Sequence, residues 1–208
     1  MAAAPAALLL AALLNPAAPG GSAQDVARRV EERAVGAADL EARFVQTYRS
    51  EALGREIVER GRLRLKRPGR MRWDYDAPDQ KTFVSDGKTF YFYVPADRQV
   101  IVRDQGGSHG IVNLLLSGRG AILEPFEPSL ESATNGRLRL RLTPRQPDPD
   151  VERAFLELDA EYRIRGIEIV DAQGSRSRFD FDAIRENLGL SDKLFRFEIP
   201  RGVEVIAG

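Results

Sequence analysis

Apolar and polar residues alternate along most of this chain. A β-strand sends successive side chains to opposite faces, so in the stretch RLRLKRPGR, 62–70, Arg62, Arg64 and Lys66 share one side while Leu63, Leu65 and Arg67 share the other. The first three read as a solvated basic face. Arg67 is the residue that breaks the separation, because it lies with the leucines. Similar alternation predicts a strand from 40 to near 54, then strands over 55–66, 70–75, 81–85, 89–94 and 99–103. The turns between them carry Pro68-Gly69, Ala77-Pro78, Asp86-Gly87 and Pro95-Ala96-Asp97, and Asp-Gly between β-rich runs is a tight hairpin signal. These strands predict an antiparallel meander. A second series is predicted over 128–133, 137–143, 152–159, 164–171, 176–184 and 194–199.

Two segments depart from the two-residue period. Over 24–36, Val26, Ala27, Val30 and Ala34 recur at helical spacing with Arg and Glu opposite them, which predicts one amphipathic helix with a narrow apolar stripe. Over 111–117 a short leucine-rich run stands between Gly110 and Gly118 and predicts a second, shorter helix. About eleven strands and two helical insertions predict a mainly β fold. The chain forms either one strongly curved antiparallel sheet or a partly open barrel with helices over its mouth. GRLRLKRPGR and GRLRLRLTPR resemble one another through strand patterning, and no fixed period recurs.

Met71, Trp73 and Tyr75 share a face, as do Phe90, Phe92 and Val94, and Leu138, Leu140 and Leu142. Tyr91 and Tyr93 lie opposite Phe90 and Phe92, so that strand is apolar on both sides. A single curved sheet with few helices has little to pack against its concave face. Either the helices fill that face or a ligand does.

Composition narrows the function. With 208 residues the chain suits one domain. Lys+Arg and Asp+Glu are both 31, whereas nucleic-acid binders carry a basic excess; no nucleic-acid partner is expected. The absence of cysteine excludes disulfides, thiolate metal sites and a cysteine nucleophile. Residues 1–23 read as a secretory signal peptide cut after Ala23, although no Lys or Arg precedes its apolar core. That core is too short to span a bilayer. The remainder, 24–208, is expected to be a single exported domain. His109 is the only histidine and has no partner in sequence. Asp74, Asp76 and Asp79 lack the glycine and terminal glutamate of an EF-hand loop, and the glycine-rich GGSHG and SGRG match no phosphate-binding motif. No enzyme, metal or cofactor is expected.

Phe44-Val45-Gln46-Thr47, then Gly61 with Lys66-Arg67-Pro68-Gly69-Arg70-Met71-Arg72-Trp73, then Val84-Ser85-Asp86-Gly87-Lys88-Thr89 and Tyr91-Phe92-Tyr93 together resemble the periplasmic outer-membrane lipoprotein carrier family, LolA. The match is clearest over 39–102, and Asn113-Leu114-Leu115-Leu116-Ser117-Gly118 resembles the family's lid segment. The resemblance implies an unclosed antiparallel barrel of about eleven strands under a helical lid. It also implies a monomeric periplasmic carrier for acylated lipoproteins, loaded by an inner-membrane ABC-type transporter and emptied into an outer-membrane receptor. That receptor is anchored through an N-terminal cysteine, which this chain lacks. A periplasmic lipid-binding or envelope-stress sensing module of the same fold is the alternative. Strand pattern and motif position make Leu63, Leu65, Met71, Trp73, Phe83, Phe90 and Phe92 the expected liners of the acyl-chain cavity. Val26, Val30, Ile111, Leu114 and Leu115 are the expected lid residues. Arg67 aligns with the family's motif arginine, which implies a latch that holds the lid by hydrogen bonds to backbone carbonyls and acts in cargo release.

Overall fold

In the computed structural model of the chain, residues 21–104, 112, 115–116, 122–134 and 136–208 are described. The predicted meander forms β1 (Asp39–Ser50), β2 (Arg55–Lys66), β3 (Arg70–Ala77), β4 (Lys81–Asp86), β5 (Thr89–Val94) and β6 (Gln99–Asp104). The second series forms β7 (Phe126–Thr134), β8 (Arg137–Pro144), β9 (Arg153–Leu158), β10 (Ile164–Val170) and β11 (Arg176–Glu186). The two meanders join where β11 pairs antiparallel with β1. Together with β12 (Glu204–Ala207) they make one sheet of twelve strands, in the order β12-β6-β5-β4-β3-β2-β1-β11-β10-β9-β8-β7. The sheet is open, with β12 and β7 at its edges.

Register gathers the apolar residues on one face. Leu63 pairs with Trp73, Trp73 with Phe83, Phe83 with Phe92 and Phe92 with Ile101. Leu63 pairs with Ala42 of β1, and from Gln46, four residues further along β1, a second row runs through Phe179, Ile167, Leu156 and Leu140. A helix, α1 (Ala23–Gly36), packs against β7 and β8 and buries Val26, Ala27 and Val30 in the same core. Its first turn is closed by a capping box: the Asp25 amide donates to Ser22 Oγ at 3.2 Å, and the Ser22 amide donates back to the Asp25 carboxylate at 3.2 Å. Residues 1–20 of the predicted leader lie outside the described residues, and a cut after Ala23 would remove this cap.

The opposite face carries charge. Arg64 bridges Glu41 and Asp74, each at 2.9 Å, and Arg139 reaches Glu131, Glu157 and Glu168. Lys66 donates to Leu190 O at 2.5 Å and pairs with Asp192 at 2.6 Å. The basic face expected to be solvated is therefore mostly satisfied within the chain; Arg62 alone of the three is exposed.

One strand prediction fails. Residues 194–199 are not a strand: a 3-10 helix, Asp192–Phe195, leads into irregular backbone, and the final strand is β12, parallel to β6. Phe195 is fully buried, and Phe197 packs 5.4 Å from Tyr91 and 5.5 Å from Tyr93. The alternation in LFRFEI records which side chains are covered, without a strand partner. It also explains why β5 is apolar on both sides.

Candidate functional site

The apolar face of the sheet, covered in part by α1, is the candidate site. Leu63, Leu65, Met71 and Trp73 are buried in it, while Phe83, Phe90 and Phe92 are half-buried on the same face. Val26, Val30 and Leu115 are buried against this face; Val112, Leu115 and Leu116 are helical. Ile111, Leu114 and His109 lie outside the described residues.

Gly61, named in the sequence only as part of a motif, shapes the centre. A Cβ at Gly61 would stand 2.0 Å from Asp74 O and 2.8 Å from Phe44 Cζ, so the Phe44 ring lies across β2 only because no side chain is there. Phe44 then meets Trp73 edge-on at 5.0 Å and Tyr75 at 4.8 Å, and Trp73 meets Phe179 at 5.6 Å. Such edge-to-face pairs add to burial. Tyr75 keeps its polar end satisfied by donating to Gln46 Oε1 at 2.7 Å, and burial pushes its hydroxyl far above the ordinary tyrosine value.

A cavity of about 70 Å³ opens at the C-terminal end of α1. Leu63, Leu65 and Arg67 of the predicted set line it, with Val30 and Leu115 above and Phe181 and Ile184 from β11. Met71, Trp73 and the three phenylalanines lie outside its lining. The volume is several-fold below the ~300 Å³ at which ligand pockets begin. An acyl chain needs a larger space than this conformation provides.

Arg67 sits just beyond β2. Its Nε donates to Ala37 O at 2.8 Å, and its amide donates to Ala38 O at 3.0 Å. Ala37 is the C-cap of α1, where helix carbonyls lack intrahelical partners. Burial lowers the guanidinium from its ordinary value. The same junction is held from β11's end, where the Ala38 amide donates to Asn187 Oδ1 at 2.9 Å, and buried Asp39 accepts from the Leu188 and Leu190 amides. Arg33 in the last turn of α1 pairs with Glu186. Among the described residues no group of three or more His, Cys, Asp or Glu could hold a metal ion.

The family model described as outer membrane lipoprotein carrier protein LolA matches residues 36–198. The chain belongs to the LolA family. An outer-membrane lipoprotein carrier protein of Azotobacter vinelandii is 32% identical over 205 residues, covering 96% of each chain. Another from Chromohalobacter salexigens is 31% identical over 200 residues, covering 95% of this chain and 92% of that one. Among solved structures, an uncharacterized conserved protein from Thermus thermophilus aligns with a TM-score of 0.57 at 14% identity, over 89% of this chain and 99% of that one. A chain of the Pseudomonas aeruginosa MucA/MucB complex aligns with a TM-score of 0.50 at 15% identity, over 85% of this chain and 61% of that one. These two likenesses concern the fold. The LolA match contains every predicted cavity liner and Arg67; Val26, Val30 and β12 fall outside it.

Proposed function

We propose that this LolA-family chain is an exported, non-enzymatic carrier of acylated lipoproteins, working as a periplasmic monomer after its leader is removed. It takes cargo from an inner-membrane ABC-type transporter and passes it to an outer-membrane receptor. The observation that carries this reading is one apolar cluster along a single face of the sheet, covered in part by a helix, with only about 70 Å³ free at the helix end. The relatives named as lipoprotein carriers, matched over nearly their whole length, support it.

The magnitudes agree with reversible loading. Val26 and Val30 are fully buried under α1, and two such side chains contribute roughly 3–6 kcal/mol as an upper estimate. One fourteen-carbon acyl chain at about 0.8 kcal/mol per methylene contributes around 10 kcal/mol. Cargo can therefore displace the helix, and the helix returns part of that energy on release. In this reading α1 and the segment around Leu115 form the lid, Leu63, Leu65, Met71, Trp73, Phe83, Phe90 and Phe92 receive the acyl chains, and Arg67 holds the lid at its junction with β1.

Protein purified from periplasm should carry acylated lipoprotein detectable by mass spectrometry. Free phospholipid alone would favour a generic lipid-binding or sensing module instead. Arg67→Leu should fold with nearly unchanged stability and retain cargo in a transfer assay to a receptor. Normal transfer by that variant removes Arg67 from the mechanism.

A further inference from the structure

Arg67 grips α1 where the helix is already tied to β1, so it fixes the angle of a hinge. A second contact acts further out. Arg29 lies eight residues before Ala37, about 12 Å along the helix axis, and its Nη1 donates to the Tyr162 hydroxyl at 2.8 Å while its guanidinium lies 5.1 Å from the Tyr162 ring centroid. A restraint on this longer lever opposes rotation of the helix more effectively than an equal one at the hinge.

The turn that offers Tyr162 is held by hydrogen bonds to Asp159. Tyr162 has φ +59°, in the left-handed region that a bulky residue rarely occupies. The conformation is held because the Asp159 carboxylate accepts from the Glu161 and Arg163 amides at 3.1 and 2.9 Å and from Arg163 Nε at 2.8 Å, while Asp159 O accepts from the Tyr162 amide at 3.0 Å. Half-buried Tyr162 touches the core and lines the cavity with Val30. It thus connects the cavity wall to the outer surface of the helix.

We infer that Tyr162 is a positioning residue for the lid, clasping α1 through Arg29 on the β9–β10 side and setting how often the helix lifts. The inference rests on the proposal that α1 is the lid of a carrier, but its test uses cargo-free protein. The chain has no cysteine, so Val30→Cys places one thiol beneath the helix, with Ala27→Cys as a second reporter should the first not fold. Thiol labelling by a maleimide then reads opening directly. Tyr162→Leu should label about two- to fivefold faster, the range expected from losing an exposed cation–π contact, with the urea midpoint lowered by no more than the same free energy; Tyr162→Phe should fall between. Tyr162→Gly separates positioning from structure, because glycine relieves the positive φ. Faster labelling in that variant at an equal or higher midpoint supports the clasp. Unchanged labelling in all three, or labelling that merely follows a lowered midpoint, overturns it. Uptake of a triacylated lipopeptide by the same variants is read separately. Faster labelling without uptake by any version leaves the clasp standing and defeats the carrier reading.

Discussion

Two groups of strands bury the same face of the sheet with different materials. On β8, β9 and β10 the side chains are aliphatic: Leu140, Leu142, Leu156 and Leu158 are fully buried and Ile167 nearly so, with α1 seated against β8 and the neighbouring β7. On β3, β4 and β5 they are aromatic. Trp73 is buried there, but Phe83, Phe90 and Phe92 are half-buried, and Phe83 stacks on Phe92 at 4.2 Å. The leucine side is a fully buried core on which the helix rests, whereas the aromatic side leaves part of its ring surface exposed. The cavity lies between the two groups, lined by residues of β1, β2 and β11 and the end of α1.

That division can be broken by substitution. Leu156→Ala should lower stability by about 2–5 kcal/mol in urea unfolding, the range for a fully buried leucine. Phe92→Ala, half-buried, should lose less than about half the 3–5 kcal/mol of a buried phenylalanine while altering binding of a hydrophobic dye. Equal losses at the two positions would mean that both sides are core of one kind. Gly61→Ala at the centre should cost upwards of about 3 kcal/mol, the top of the usual overpacking range, and should shift the emission of Trp73, the single tryptophan, because the β3 backbone at Asp74 and the Phe44 ring must both move.

The two sides should also answer to opposite ends of the pH scale. On the outer face of the leucine side, Arg178 holds Glu157 below its ordinary value of 4.5, and for Glu168 the neighbouring Arg139 and Arg176 outweigh burial in the same direction. Both carboxylates bind protons less readily folded than unfolded. Their contribution is therefore complete above about pH 4.5 and is lost as pH falls through the lower folded values. Glu157→Gln should flatten that acid limb of the unfolding midpoint. On the aromatic side Tyr75 is raised by burial from 10.0, so its contribution is present below pH 10 and is lost at more alkaline pH. Tyr75→Phe should blunt the alkaline limb and leave the acid one alone. The smallest effect is expected at Arg62, exposed on β2, where Ala should change stability by no more than about 0.5 kcal/mol.

Much of this was legible in the sequence because a period of two assigns faces as well as strands. Parity alone put Leu63 with Leu65, Trp73 with Met71 and Phe90 with Phe92. The concave face of the later strands could not be chosen that way, since no residue pattern states which neighbour a strand will take. Residues 194–199 read as a strand for the same reason: Phe195 and Phe197 alternate like strand residues but cover the outside of the sheet. β12 is four exposed residues paired in parallel, too short to leave a pattern. Gly61 carried its signal as a glycine inside a strand, which often marks a close approach. Tyr162 carried none, because a positive φ at tyrosine is imposed by the surrounding turn.

The central claim is that acyl chains enter between these two sides when α1 lifts. Titration of the purified protein with a triacylated lipopeptide, followed by Trp73 fluorescence, tests it most directly. A saturable spectral change with the acylated peptide, and none with the same peptide lacking its acyl chains, is the predicted result. Identical responses to both peptides, or no response to either, would contradict the account.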